Sequence, residues 1–324
     1  MTMTNKQIKA NILLLLTATL WGFAFVAQKV GADFVPPFTF NAIRFLLGAL
    51  SLLPVLLLNS KNKNITAKKS MDAYTLKLGI IVGCILFLGA GLQQVGMPYT
   101  TASKAGFITG LYIVLVPVFG LFLKHKTGLN TWIGVVLAII GLYLLSINED
   151  FRMEFGDLLM LCSAFAFTAH ILVIDSISQK VDSLQLSFLQ FFTCSILNFI
   201  CSFFLEDMVF TDIINASIPL LYGGVLSVGV AYTLQVVAQK HAKASHAAIL
   251  MSMEAVFSCI GGMLILSERL SRRGIVGCIL LFLAILISSR KTAASKSGGR
   301  DLPILARVQA SDEIPGSGNE AMSK

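Results

Sequence analysis

Long apolar stretches separate the charged residues of this chain. Several long stretches contain no charged residue at all, among them residues 10–28, 78–103, 105–123 and 127–148. A helix that rises about 1.5 Å per residue needs roughly 20 apolar residues to cross a hydrocarbon layer of about 30 Å. Outer-membrane strands would alternate apolar and polar residues, and these stretches do not. The pattern therefore predicts transmembrane α-helices.

The same reasoning, extended along the chain, predicts an all-α membrane protein with ten transmembrane helices. We place them near residues 10–30, 38–58, 77–97, 104–123, 129–147, 157–175, 184–205, 217–238, 246–266 and 273–289. Residues 1–9 precede the first helix. Residues 290–324 are rich in Gly, Ser, Lys and acidic residues, and this composition predicts a disordered tail.

Composition agrees with a membrane protein and argues against several other classes. Of the 324 residues, 56% are hydrophobic and 13% are charged, and the mean hydropathy is +0.80. The six cysteines fall inside predicted helices without metal-ligand spacing, so we expect packing residues and neither disulfides nor a metal site. Because the loops are short and no phosphate-binding loop or nucleophile elbow is present, we expect no enzyme and no cofactor.

The net charge of +8 is distributed unevenly over the two predicted faces. With the N-terminus inside, Lys and Arg of the inner segments outnumber those of the outer segments by roughly three to one, which follows the positive-inside rule. The outer cluster of Arg269, Arg272 and Arg273 disagrees, and no local feature of the sequence explains it. The distribution predicts an inner-membrane protein with both termini in the cytoplasm, and we expect no nucleic-acid partner.

The two halves of the chain contain matching residues in a consistent order. At an offset of 146 the matched pairs are Ala18 and Ala164, Trp21 and Phe167, Arg44 and Gln190, and Phe45 and Phe191. At an offset of 142 they are residues 92–93 and 234–235, Val95 and Val237, and residues 102–103 and 244–245. We therefore predict two five-helix repeats, at 10–147 and 156–289, joined by an outer linker at 148–155. Because five is odd, the second repeat is inverted, as in many secondary transporters.

Five short motifs are spread along these repeats. They are residues 18–25, Pro37 with Arg44, residues 156–159, residues 253–257 and residues 267–270. Together they resemble the signatures of the EamA-type ten-helix branch of the drug/metabolite transporter superfamily. The resemblance implies an inverted-repeat fold and the transport of small metabolites, often the export of amino acids or drugs.

Two positions depart from the pattern of that family. Ala255 stands where many members have a proline after the glutamate, and we therefore expect a straighter ninth helix. Lys126 stands where the first half of the family often has a glutamate.

Glu254 is the leading candidate for a functional residue. It lies about 12 Å along the predicted ninth helix and hence near the middle of the membrane. An acidic residue at that depth costs roughly 2.5–3.5 kcal/mol on insertion scales, and such residues usually serve protons, ions or substrate. Glu254 is either a proton or substrate-amine site or a structural carboxyl bonded to a neighbouring helix. Since His246, Glu254 and Ser258 are spaced to share one helix face, Ser258 could bond the carboxyl or line the same cavity.

Two further charged or titratable residues lie inside predicted helices. His170 is either a ligand contact or proton acceptor in a cavity, or a packed, hydrogen-bonded histidine. Arg44 lies early in the second helix, close enough to the outer surface to snorkel. We favour a structural or gating role for Arg44, with Asn41 supplying a hydrogen bond.

Polar and aromatic residues complete the set of candidates. Gln93 and Gln235 occupy matching positions, and each offers a donor and an acceptor to a substrate or to a neighbouring helix. Trp21, Tyr112 and Tyr232 form either an aromatic wall of a cavity or ordinary packing contacts.

These features predict a secondary transporter that moves a small organic metabolite (an amino acid, a related metabolite or a drug) by alternating access, and the resemblance favours export. A non-alternating channel or a membrane scaffold is the alternative. The expected partners are the small-molecule substrate and the lipid bilayer. Proton coupling, a homo-oligomer and the identity of the substrate stay open.

Overall fold

The computed structural model describes residues 4–62, 72–124, 127–146, 154–269 and 272–288. These residues form helices joined by short connections, and none of them forms a strand. Eight helical spans are long and apolar enough to cross a membrane. Two shorter helices, Leu129–Ser146 and Arg272–Ser288, occupy the predicted fifth and tenth positions. The fold class predicted from the sequence is confirmed.

The helices follow one another in the order expected from the hydrophobic pattern. The first half contains α1 (Asn5–Ala32), α2 (Pro37–Asn62), α3 (Ala73–Gly96), α4 (Ala102–Thr109), α5 (Tyr112–Phe122) and α6 (Leu129–Ser146). The second half contains α7 (Phe155–Ile177), α8 (Ser183–Leu205), α9 (Phe210–Asn215), α10 (Ser217–Leu221), α11 (Thr233–Gln239), α12 (Ala244–Met251), α13 (Glu254–Ile265) and α14 (Arg272–Ser288). Lys126, most of the predicted linker and the predicted tail lie outside the described residues.

Helix starts are set by side chains that satisfy the first backbone N–H groups. The first helix begins before the predicted residue 10, because Thr4 and Gln7 form a reciprocal capping box. Helix α2 begins with Pro37 in its first turn, where a missing N–H costs nothing. The next two N–H groups, of Phe38 and Thr39, donate to the Glu206 carboxylate at 2.8 and 2.7 Å. That carboxylate belongs to the other half of the chain.

The fourth and ninth crossings are interrupted at matching positions. The fourth breaks between α4 and α5, at Gly110 and Leu111, and the ninth between α12 and α13, at Ser252 and Met253. The N–H groups of Leu111 and Met253 bond to the carbonyl three residues back, at 3.2 and 3.3 Å. Such 3₁₀-type bonds keep the buried backbone paired while the helix axis is disturbed. The ninth crossing is thus interrupted even though Ala255 stands in place of a proline.

The eighth crossing contains a different irregularity. Between α10 and α11, residues Tyr222–Tyr232 form a π-helical segment. Two glycines in it, Gly223 and Gly224, face α2, and a Cβ built on Gly224 would lie 2.6 Å from the Cβ of Leu47. Glycine is therefore required for this close approach. π-helical turns are rare and frequently occur at functional sites.

The bundle has apolar side chains on its outside and polar side chains within. Phe122 and Ile218 are each 80% exposed, as expected for side chains that face lipid. Buried polar residues include Gln93, Gln235 and Glu254. Exposed apolar side chains distinguish this bundle from a water-soluble fold, and the polar side chains buried within its apolar core mark candidate functional positions.

Candidate functional site: a cavity shared by the two halves

A cavity lies in the interior of the bundle. It is lined by residues from both halves of the chain: Trp21, Ala24, Phe25, Gln28, Arg44, Gln93, Thr109, Tyr112, Phe167, His170, Ile171, Ser227, Tyr232, Gln235 and Glu254. Every candidate chosen from the sequence lines the cavity except Asn41 and Ser258. Residues scattered along the sequence are thus brought to one place.

The cavity lining follows the internal repeat. Helices α1 and α7 contribute matching residues at an offset of 146, namely Trp21 and Phe167, Ala24 and His170, and Phe25 and Ile171. At an offset of 142 the matching residues are Gln93 and Gln235, and Tyr112 and Glu254. The same structural positions of both halves therefore face the same space.

Glu254 and Tyr112 are the first residues after the two helix breaks. Glu254 begins α13 and is 2% exposed. The Tyr112 hydroxyl faces the Glu254 carboxyl. Tyr112 Oη and Glu254 Oε1 nevertheless have no partner with hydrogen-bond geometry among the described residues. A buried carboxyl next to a helix break thus lines the cavity.

Arg44 is buried, and the snorkelling position expected for it is wrong. Only 3% of the residue is exposed, and it lines the cavity. Its Nε–H donates to Asn41 Oδ1 at 2.8 Å, and Asn41 Nδ2 donates to the Ala90 carbonyl at 2.9 Å. The hydrogen bond predicted from Asn41 is present. Arg44 points into the bundle because α2 is covered by the second half on that side.

Tyr232 lies at the centre of an aromatic group. Its ring centroid is 4.6 Å from that of Trp21 and 5.9 Å from that of His170. Tyr232 is also within electrostatic reach of both Arg44 and Glu254. The π-helical segment ends at Tyr232, and its Ser227 carbonyl accepts from Trp21 Nε1 at 3.3 Å. Trp21, Tyr112 and Tyr232 therefore all line the cavity.

His170 both lines the cavity and makes a structural hydrogen bond. Its Nε2 pairs with Gln190 Oε1 at 2.8 Å, as the hydrogen-bonded alternative expects, and the residue also lines the cavity. The other ring edge faces Tyr232. The bond to Gln190 fixes the orientation of the imidazole relative to the cavity.

The two matched glutamines differ in their bonding. Gln93 Nε2 donates to Thr109 Oγ1 at 3.3 Å. Gln235 is fully buried, and neither its Oε1 nor its Nε2 has a partner among the described residues. An amide buried without partners costs roughly 1–3 kcal/mol, so water or a solute in the cavity would stabilise it.

Ser258 does not take part in this site. Its hydroxyl donates to the Ala255 carbonyl at 2.9 Å and packs against Gly106 of α4. His246 is likewise remote and pairs with Asn11 Oδ1 at 3.0 Å. The break at Ser252 and Met253 separates His246, in α12, from Glu254 and Ser258, which both belong to α13.

Three polar cavity residues were not predicted: Gln28, Thr109 and Ser227. Gln28 follows Trp21 by two helical turns, so helical spacing alone could have identified it. Thr109 precedes the α4 break, and Ser227 lies in the π-helical segment. Neither irregularity has a signal in the hydrophobic pattern.

One end of the bundle is held by carboxylates that bridge the two halves. Glu268, in the connection after α13, accepts from the Ala102 N–H at 3.2 Å and from the Ser103 hydroxyl. Asp157 accepts from Thr100 Oγ1 and from Lys104 Nζ, both at 3.0 Å. We call Glu268, Ala102 and Ser103 the α4 latch. These contacts join the two halves at that end.

Comparison with known proteins agrees with the fold. The sequence matches the EamA-like transporter family twice, over residues 8–147 and 154–290. The chain belongs to this family. Membership makes it a multi-pass membrane protein that transports small solutes, with the bilayer and a small-molecule substrate as its partners.

Individual relatives cover most of the chain. An uncharacterized transporter of Archaeoglobus fulgidus is 34% identical over 290 residues, which cover 88% of this chain and 87% of that protein. The uncharacterized transporter YoaV of Bacillus subtilis is 23% identical over 87% of this chain and 97% of its own length. A protein with a solved crystal structure superposes with a TM-score of 0.70 at 17% identity, covering 86% of this chain and 97% of that one. This last likeness concerns the fold alone.

Proposed function

We propose that this EamA-like protein is a secondary carrier that exports a small organic metabolite across the inner membrane by alternating access. One observation carries the proposal: matching residues of two inverted halves line a single cavity beside matching helix breaks. In such an architecture the two halves can exchange conformations, which opens the cavity first to one side of the membrane and then to the other.

The helix breaks supply the places where movement costs least. At Gly110–Leu111 and Ser252–Met253 the backbone already uses tighter 3₁₀-type bonds, so a change of angle breaks few regular helical hydrogen bonds. Tyr112 and Glu254 lie directly after these breaks. A rearrangement there moves two cavity residues at once.

The chemistry of the cavity favours an organic solute with polar groups. Aromatic faces of Trp21, Phe167 and Tyr232 provide apolar contact area. The unpartnered atoms of Gln235 and Gln28 offer hydrogen bonds. A purely apolar solute would leave these groups unpaired, which is costly in a low-dielectric interior.

Glu254 is the residue that we assign to coupling. Tyr112 and Tyr232 face it from α5 and from the π-helical segment, and Arg44 and His170 line the same cavity. A carboxyl at this depth can carry a proton in one conformation and release it in the other, or pair with an amine of the solute. In this proposal both termini are cytoplasmic, in agreement with the distribution of Lys and Arg.

Trans-stimulated exchange in proteoliposomes tests the carrier mechanism. Metabolites that accumulate outside cells expressing the protein, compared with cells lacking it, provide the solutes, and export predicts accumulation outside. A carrier exchanges labelled solute faster when unlabelled solute is present on the opposite side, and the rate saturates. A pore shows no trans-stimulation, and a scaffold moves no solute. Either result would overturn the proposal.

A further inference from the structure

Arg44 has a hydrogen-bonding capacity that the protein itself does not use. A guanidinium carries five N–H donors. The Nε–H donates to Asn41, and the described residues provide no further hydrogen bond to this group. In the described part of the chain no carboxylate pairs with Arg44. The donors of the two terminal nitrogens therefore remain for another partner.

The contacts around Arg44 hold its guanidinium group in place. Asn41 is itself held, because its Nδ2 donates to the Ala90 carbonyl at 2.9 Å, so its Oδ1 is committed to Arg44. The guanidinium carbon lies 5.7 Å from the centroid of the Phe40 ring and 5.0 Å from that of Phe45. The rings of Phe40 and Phe45 therefore lie close to the guanidinium, and the Asn41 amide holds its Nε–H. The side chain lines the cavity.

A buried cation without a counter-ion is costly inside a membrane protein. Such residues are rare, and they usually mark substrate or ion pathways. Cation–π contacts with Phe40 and Phe45 compensate only part of the lost hydration. Glu254 lines the same cavity but forms no ion pair with Arg44. The Arg44 N–H groups that a carboxylate of the protein would otherwise bind are thus available to a solute.

We propose that Arg44 is the anion-binding anchor of the cavity and that the transported solute carries a carboxylate. The planar guanidinium fork matches the two oxygens of a carboxylate, with two parallel N–H···O bonds. The inference rests on the proposed function, because it takes the cavity as the solute site. It replaces the structural role expected from the sequence with direct contact to the solute.

A minimal probe tests this site without knowledge of the solute. Acetate and acetamide have nearly the same shape, but only acetate offers two anionic oxygens. The purified full-length protein is heated in detergent with acetate, acetamide or chloride at matched ionic strength. We expect acetate at about ten times its Kd to raise the Tm by roughly 2–4 °C over chloride, because a ligand that binds only the folded state stabilises it. Acetamide should have no such effect.

Variants assign the effect to the guanidinium. Arg44→Gln should abolish the shift that is specific for acetate, and Arg44→Lys should retain less than half of it, because a point charge lacks the fork. Lys77→Gln removes one positive charge from an exposed position and should keep the full shift. An acetate shift of equal size in Arg44→Gln, or no acetate shift in the wild type, overturns the proposal.

The acetate test of Arg44 and the exchange test of the carrier mechanism can succeed or fail independently. Trans-stimulated exchange can fail while acetate still binds through Arg44, and exchange can succeed with a solute whose binding ignores Arg44. Should Arg44 have only a structural role, Arg44→Gln would lower the Tm in chloride while the response to acetate, if any, stayed unchanged.

Discussion

The two halves of the protein present the same backbone positions to the cavity and fill them with different chemistry. On α1 these positions hold Trp21, Ala24 and Phe25, and on α7 they hold Phe167, His170 and Ile171. The charged positions differ more strongly. Arg44 of the first half matches Gln190 of the second, and Tyr112 of the first half matches Glu254 of the second.

This difference distinguishes two requirements of the proposed carrier: alternating access of the cavity and recognition of the solute. In the proposed carrier mechanism, alternation needs two halves that can exchange conformations, and the matched helix breaks would allow this exchange. Recognition needs a definite orientation of the solute, which the cation Arg44 and the acid Glu254 would impose from different sides of the cavity. On this proposal the symmetric backbone serves alternation and the asymmetric charge serves recognition.

The largest expected effect is on the pH dependence of transport, and it comes from replacing Glu254, the acid directly after the break in the ninth crossing. Glu254→Gln should leave solute exchange measurable but abolish its pH dependence, because the amide cannot take up a proton. Tyr112→Phe, at the matching position of the other half, should keep the pH dependence. Exchange rates between pH 5.5 and 8.5 in proteoliposomes provide the measurement. Asp33→Asn, an exposed carboxyl at the end of α1, is the control. A pH profile that is unchanged in Glu254→Gln removes the proton role.

Close packing between α1 and α13 provides the second comparison. A Cβ at Gly22 would lie 2.2 Å from Phe257 Cβ and 2.8 Å from the Glu254 carbonyl, whereas the matching residue of α7 is Thr168. Gly22→Ala should therefore lower the free energy of unfolding by about 1–3 kcal/mol. Gly91→Ala meets only Phe38, at 3.8 Å, and should be neutral or stabilising within about 1 kcal/mol. Thermal unfolding in detergent distinguishes them, and equal losses would contradict this account.

The smallest effect concerns the two ends of the bundle. The α4 latch depends on Glu268, whose matching residue in the first half is Lys126. A double-mutant cycle with Glu268→Gln and Ser103→Ala should give a coupling of about 1.5 kcal/mol or more, since a carboxylate bond is charge-assisted. The neutral pair of Asn11 and His246 at the other end should give about 0.5–1 kcal/mol. Equal couplings would show that the latch contributes no asymmetry between the ends.

Much of the cavity could be predicted because each feature has a local signal. Glu254 and His170 are conspicuous in apolar helices, and Gln93 and Gln235 were found through the repeat. Helical spacing from Trp21 extends the same reasoning to Gln28, which lies two turns further along α1. Thr109 and Ser227 were not within reach, because a threonine or serine in a membrane helix usually bonds to its own backbone, as Thr168 does at 2.7 Å.

The sequence itself determines the membrane-spanning helices and their order, because membrane insertion depends on the local density of apolar residues. It also indicates the inverted repeat, through matching residues in the two halves. The direction of Arg44, the breaks before Tyr112 and Glu254 and the π-helical segment were decided by tertiary packing. Each depends on which surfaces of distant helices meet, and hydropathy carries no information about those contacts. The sequence shows that a charge lies within the membrane, and only the fold shows what it faces.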